Sequence, residues 1–320
     1  MATPSTSFGT LISLVDEVTP GTEVARVNAW RPMSVDLEAG KELVIVPMFA
    51  GDANTAVATN DIETLRGTLT GSFKVPWSYT YMVKLWKLAL GGCTTTGTGP
   101  FTHTCKPTRT LGSASIEVQR GSSSNAEEGY GVKVNRLTAE VAAGGIATIT
   151  VELLGMQGAN TRGSGTSLTV PTLLRAIGPH AGQLGYNGNN FTLIGAKLVI
   201  DNKLARVDEC GSIYSTEPER TAPPSYTLEV ELYSRNNTLW TEHLAGTKAS
   251  ATLTLSNGTE SCAITLYNAC MLERPTTTLE TGDARIKTRA VFTGSWDPTG
   301  TNYGVRVVTI NSNSNATELA

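Results

Sequence analysis

The chain writes one building plan twice, and that duplication constrains its fold more than any single motif. In the first copy an alternating run, residues 65–75, passes through Pro76, Trp77 and Ser78 into a short amphipathic stretch carrying Leu85 and Trp86. That stretch stops at Gly91 and Gly92, and strand-like runs follow at 113–120, 132–142 and 146–154. In the second copy residues 226–233 lead through Ser234 into a stretch with Leu239 and Trp240 that stops at Gly246. Strand-like runs again follow, at 250–255, 263–272 and 284–293. A repeated sheet–helix–sheet unit rich in Thr and Gly points to a structural protein made of repeated sheets.

The periodicity supports each element. Leu65, Leu69, Phe73 and Val75 share one face of the first run, with Arg66, Thr68, Thr70, Ser72 and Lys74 on the other. The period then changes: Tyr79, Met82, Leu85, Trp86 and Ala89 fall at three- and four-residue steps, with Lys84 and Lys87 opposite. This predicts a helix over 79–90, with Ser78 as N-cap and Gly91 as its left-handed stop. The second helix groups Leu239, Trp240, His243 and Leu244 on one face. Both are too short to persist alone, so Trp86 and Trp240 are expected to pin them to a sheet.

After the first helix Leu137, Ala139, Val141, Ile149, Val151 and Leu153 form an inward set across a Gly144-Gly145 hairpin turn. Thr138, Glu140, Thr148, Thr150 and Glu152 point the other way. In the second copy Ile286, Ala290 and Phe292 read as inward, and Arg285, Lys287 and Arg289 as outward. Further strands are expected at 8–18, 41–49 (buried) and 191–200, with a polar loop at 50–61 and a turn cluster at 187–190. Residues 155–167 read as a linker, which divides the chain into β domains at 1–160 and 161–320. The expected fold is therefore mainly β: two tandem sandwich or half-barrel domains, each with one short α-helix packed on its sheet.

Composition narrows the function. Hydrophobic residues at 40% suffice for real cores, while only 17% charged residues suits sheets covered by other protein. A net charge of −3 excludes a strongly basic nucleic-acid binder, although not a protein that nucleic acid slides past. The five cysteines, Cys93, Cys105, Cys210, Cys262 and Cys270, are odd in number without CxxC spacing. Cys93 and Cys105 could come close, but free thiols in a reducing cytoplasm are the expectation. The longest early apolar run, 11–15, meets Asp16 and Glu17 at once, so no export signal is read. No run approaches the ~20 apolar residues of a membrane helix. A soluble protein made in the cytoplasm is expected.

The search for chemistry finds no phosphate-binding loop, dinucleotide fingerprint, zinc-protease helix, calcium loop or nucleophile elbow. His103, His180 and His243 each lack a second ligand at metal spacing, so structural roles are expected. Glu127-Glu128 and Asp208-Glu209 read as solvated charged turns, and Glu229 with Glu231 as one solvent face of a strand. Trp30, Trp77 and Trp296 are not spaced as a stacking platform; core or interface packing is their expected use. No catalytic, cofactor or metal residue is assigned, and an enzyme is not expected.

The order of elements resembles the tail tube (major tail) proteins of long-tailed bacteriophages. The opening SFGTLISLVDEVTPGTEV is similar to that family's N-terminal strand and turn. GTLTGSFKVPWSYTYMVKLWKLALGG is similar to its strand–helix unit, and FTHTCKPTRTLGSASIEVQR with YGVKVNRLTAEVAAGGIATITVELLGM to the succeeding strands. YTLEVELYSRNNTLWTEHLAGTKASATLTL through RIKTRAVFTGSWDP resembles a second tube unit.

The resemblance implies a virion structural protein that self-assembles into stacked rings, with DNA delivered through the bore without specific binding. With four strands per unit, three double copies would close a barrel of about 24 strands. Its backbone diameter would be roughly 48 Å, with a bore of about 40 Å. Such a bore should repel DNA, so Glu140, Glu152, Glu229 and Glu231 are the candidate lumen-facing residues, with Arg285, Lys287 and Arg289 expected elsewhere. The implied partners are further copies in pseudo-sixfold trimeric rings, a tape measure protein, and tail terminator and tip proteins. No membrane is involved, and the implied location is the virion tail, assembled in the bacterial host cytoplasm. Residues 50–61, the N-terminal strand and the tail after Thr301 are expected at ring-to-ring contacts. The competing expectation is a secreted or surface two-domain β-sandwich adhesin; a β-fold glycosidase ranks third.

Overall fold

The computed structural model describes residues 9–48, 59–79, 81–158, 165, 167–170, 176–178, 182–206, 210, 215–233, 237–279, 286–296 and 304–312. At 39, 41–48, 59–66 and 68 only the backbone is described. The first half contains β1 (Leu11–Asp16), β2 (Ser34–Met48), β3 (Thr59–Pro76), helix α1 (Val83–Leu90), β4 (Gly91–Thr96) and β5 (Phe101–Pro107). It continues with β6 (Ala114–Gln119), β7 (Ala126–Ala142), β8 (Thr148–Gly155) and β9 (Gln157–Gly158). The second half holds β10 (Gly182–Tyr186), β11 (Asn189–Asp201), the short pair β12 (Leu204–Ala205) and β13 (Glu219–Arg220), and β14 (Ser225–Tyr233). Helix α2 (Thr238–Leu244), β15 (Ala249–Ser256), β16 (Ser261–Met271), β17 (Thr276–Leu279), β18 (Ile286–Thr293) and β19 (Val305–Asn311) complete it.

The fold is mainly β and antiparallel, as the alternation predicts. One layer is a sheet in the order β2-β3-β8-β7-β11-β14-β18-β17, which runs unbroken from the first half into the second. Against it pack a sheet β1-β6-β7-β9 and a larger sheet β10-β15-β16-β19-β5-β4. The apolar faces of both layers merge into one core. Leu228, Val230 and Leu232 of β14 are buried while their neighbours are half-exposed, the signature of a strand with one covered face. Trp30 stacks on Phe73 at 6.4 Å, and Trp77 meets Trp86 edge-on at 5.6 Å.

Helix α1 begins later than the sequence suggests. Its N-cap is Met82 rather than Ser78, because Ser78 still bridges to Ala176 and Trp77 is hydrogen-bonded to Ala147 and Ile177. Gly91 ends it with φ of 97°, as expected of a left-handed cap. Lys84, expected to face solvent, is instead buried beside Asp16 at the end of β1.

The β4–β5 hairpin pairs Gly91–Thr96 with Phe101–Pro107. It is held by β19, which inserts between β5 and β16, and Cys93 lies opposite Cys105 in a disulfide, contrary to the expected free thiols. His103 is fully buried there, with Nδ1 2.8 Å from Thr95 Oγ1 and Nε2 3.0 Å from Asn311 Oδ1. Cys210, Cys262 and Cys270 are free, and burial pushes the Cys262 thiol up to about 12.

Other boundaries also shift. The strand expected at 41–49 belongs to the longer β2, paired along its length with β3, and Thr59, Asn60 and Asp61 are strand rather than loop; residues 49–58 lie outside the described residues. Glu127 and Glu128 are on β7 rather than in a solvated turn, bonded to Arg120 and Arg26 respectively. Part of the expected linker is packed, since β9 pairs with β7 and Gly165 bonds to Ser123. Asn187 (φ 46°) and Gly188 (φ 76°) form the tight β10–β11 hairpin turn that the Asn-Gly pair encodes. Trp30 and Trp77 are core residues, whereas Trp296 is exposed.

Candidate functional site

The continuous eight-strand sheet has one apolar face turned to the core and one polar face turned away. Strand register places Glu140 and Lys197 side by side, with Glu229 next along, and Glu152 level with Arg136. Glu231 faces Arg289. All four glutamates singled out from the sequence therefore share the polar face. Lys287 and Arg289 share it too, against the expectation that separated them from the acids; Arg285 lies outside the described residues. Alternation alone cannot distinguish the polar sides of two strands until their pairing is known. The Arg289 guanidinium donates to Glu229, and that hydrogen bond holds the Glu229 carboxyl below its usual range. Lys197 Nζ lies 2.9 Å from Glu140 Oε1.

The two halves use the same strand order. β2, β3, β8 and β7 correspond to β11, β14, β18 and β17, and β7 pairs antiparallel with β11 where the halves meet. Among the described residues, nothing pairs with the outer edge of β2 or of β17. Alternating directions across eight strands leave β2 antiparallel to the β17 of a second copy. An open, unpaired edge is a template for another chain.

The seam between halves is more than a ladder. Asn202, just past β11, is fully buried and donates from Nδ2 to Ala89 O (2.8 Å) and Val134 O (2.9 Å). Asn202 N also donates to Asn135 O, and Leu204 N to Asn135 Oδ1. Lys133 Nζ reaches Glu217 Oε1 at 2.8 Å, and Arg220 donates to Thr108 O and Asn202 Oδ1. Sequence reading missed these residues. A buried Asn in a polar Asp-Asn-Lys turn carries no local signal, since its partners come from the other half.

The helices differ as sites. Trp86 is fully buried in α1. Trp240 is half-exposed, and in α2 only Leu239 is buried. The Arg274 guanidinium lies 4.1 Å from the Trp240 ring centre, beside a concavity of about 410 Å³. His243 Nδ1 is 3.1 Å from Met271 O, and His180 lies outside the described residues.

Among the described residues no group of three His, Cys, Asp or Glu side chains could hold a metal ion, and no helix is long and apolar enough to cross a membrane. No curated protein gives a significant match to the chain. The family described as phage tail tube protein matches residues 7–295. The chain belongs to the phage tail tube family, and its role is that of a structural protein of the virion tail.

Proposed function

We propose that three copies join edge to edge in a closed ring, that rings stack into a tube, and that the phage genome passes along its bore. The β7–β11 seam carries this reading. It joins the last strand of one four-strand unit to the first strand of an equivalent unit, and β17 and β2 are the same two strands left open. A second copy offering β2 to β17 repeats the seam, and three copies close a barrel of about 24 strands. The division into two tube units near residue 160 belongs to the same reading.

In such a ring the polar face lines the bore, with Glu140, Glu152, Glu229 and Glu231 towards the lumen. Lys197 and Arg289 share that face but are engaged by Glu140 and Glu229, and Arg136 lies level with Glu152, so carboxylates offset the cations that phosphates could grip. A tape measure protein inside and terminator and tip proteins at the ends complete the assembly, which forms in the host cytoplasm. Contacts between rings fall to the 50–61 region; the N-terminal strand, buried as β1 against β6, and the stretch after Thr301, inserted as β19 between β5 and β16, are held inside the subunit instead.

Electron microscopy of the purified protein at rising concentration tests this. Hollow tubes whose rings each contain three chains by mass are expected. Dispersed monomers at every concentration, or rings of another copy number, overturn it.

A further inference from the structure

The open end of the molecule exposes an apolar patch that the internal seam explains. Leu244 at the end of α2 and Leu272 just past β16 are each 70% exposed. The half-exposed Trp240 lies one helical turn before Leu244, Arg274 two residues past Leu272 covers its ring, and His243 Nδ1 lies 3.1 Å from Met271 O, which brings the end of α2 to the end of β16. Large apolar side chains gathered in this way mark a surface that another chain covers.

Strand register identifies what covers it. In the first half Val134 faces Leu153, and in the second Met271 faces Phe292; β8 and β18 align as Thr-Val-Glu-Leu-Leu-Gly on Arg-Ala-Val-Phe-Thr-Gly. Leu272 thus takes the place of Asn135. Aligning Trp240 with Trp86 puts Leu244 in the place of Leu90, which is fully buried. In the first half the Val134–Asn135 corner is covered by Asn202 and Leu204, the chain leaving β11. Val35 faces Phe73 as Ala196 faces Val230, so the residue in the place of Asn202 is Lys41, where β2 leaves the sheet.

From Lys41 to Met48, β2 pairs only with β3, as a two-stranded ribbon projecting roughly 25 Å beyond the sheet. A lone ribbon of this kind is marginally stable in water and calls for a surface to lie on.

We propose that the patch formed by Leu244, Leu272 and the Trp240–Arg274 pair is the docking site for the β2–β3 ribbon of the neighbouring copy in the ring. The base of the ribbon near Lys41 crosses Leu272 as Asn202 crosses Asn135 within the chain. This inference rests on the ring reading and adds its side-chain lock. It also gives the first part of the ribbon a partner within the ring rather than only between rings.

The test is disulfide trapping in a Cys210→Ser background, combining Lys41→Cys with Leu272→Cys. Mild oxidation of assembled protein should give covalent dimers and trimers, which neither single variant gives. A second variant, Leu272→Asp, should raise the concentration needed for assembly at least tenfold while leaving monomer melting unchanged, because Leu272 is exposed in the monomer. Three-chain rings that form without cross-links and tolerate Leu272→Asp overturn the docking site and leave the ring intact. Wild-type protein that never assembles overturns both.

Discussion

Lys197 on β11 holds its ammonium 2.9 Å from the Glu140 carboxylate on β7, so an ion pair crosses the joint between the two halves. Lys197 also faces Glu229 on β14. Lys197→Glu would set three carboxylates side by side on adjacent strands. The pair is part-exposed, so a loss of about 1–2 kcal/mol is expected in urea denaturation. The loss should shrink in 0.5 M salt, at about a 4 Å screening length. A salt-independent loss would assign the effect to packing instead.

Asn202→Ala removes an amide that serves two carbonyls of the other half and the acceptor for Arg220. Leaving buried groups without partners costs about 2–4 kcal/mol. Hydrogen exchange should quicken at β7 and β11 before it does at β14. Uniform loss of protection would mean that the halves open together.

Burial lowers the Lys84 ammonium from its ordinary 10.5 to about 8, although Asp16 pulls the other way. The native state therefore disfavours the charged form: the penalty is full below pH 8 and is relieved as pH climbs to 10.5. Wild-type stability should rise relative to Lys84→Met by about 2 kcal/mol between pH 7 and 9.5. Tyr79 and Tyr186, which burial raises to about 12, work in the opposite direction but cancel in the difference. A flat difference between the two proteins would exclude a charged, buried Lys84 as the source.

Trp86→Ala should cost about 3–5 kcal/mol, because the ring is fully enclosed and abuts Trp77. Trp240→Ala should cost the monomer far less, since its ring is half-open and its neighbour is a cation. Thermal melts of the two variants make the comparison, and equal losses would mean that α2 is as enclosed as α1.

Much of the architecture was legible in the sequence because it is local. The alternation of β14, the Gly91 stop, the Asn187-Gly188 turn and the inward set of β7 and β8 all follow from neighbours along the chain. What stayed hidden depends on distant partners. The segment from Gly91 to Pro107 has little apolar alternation, and it is a hairpin because β19 pairs with it. Lys84 is on the polar side of an amphipathic pattern, yet it is buried where Asp16 of β1 comes to lie beside it. Trp240 repeats Trp86 in sequence, but it is half-exposed where Trp86 is enclosed against Trp77. The four glutamates could be placed on a polar face from alternation, while the cations beside them emerged only from register.

The insertion of β19 between β16 and β5 has a consequence for synthesis. His103 and Asn311, 208 positions apart, meet in the finished molecule. A ribosome has therefore passed Asn311 before the outer layer of the first half gains its neighbour β19. The outer layer of the first half cannot close as it emerges, and its completion waits on a long search by β19.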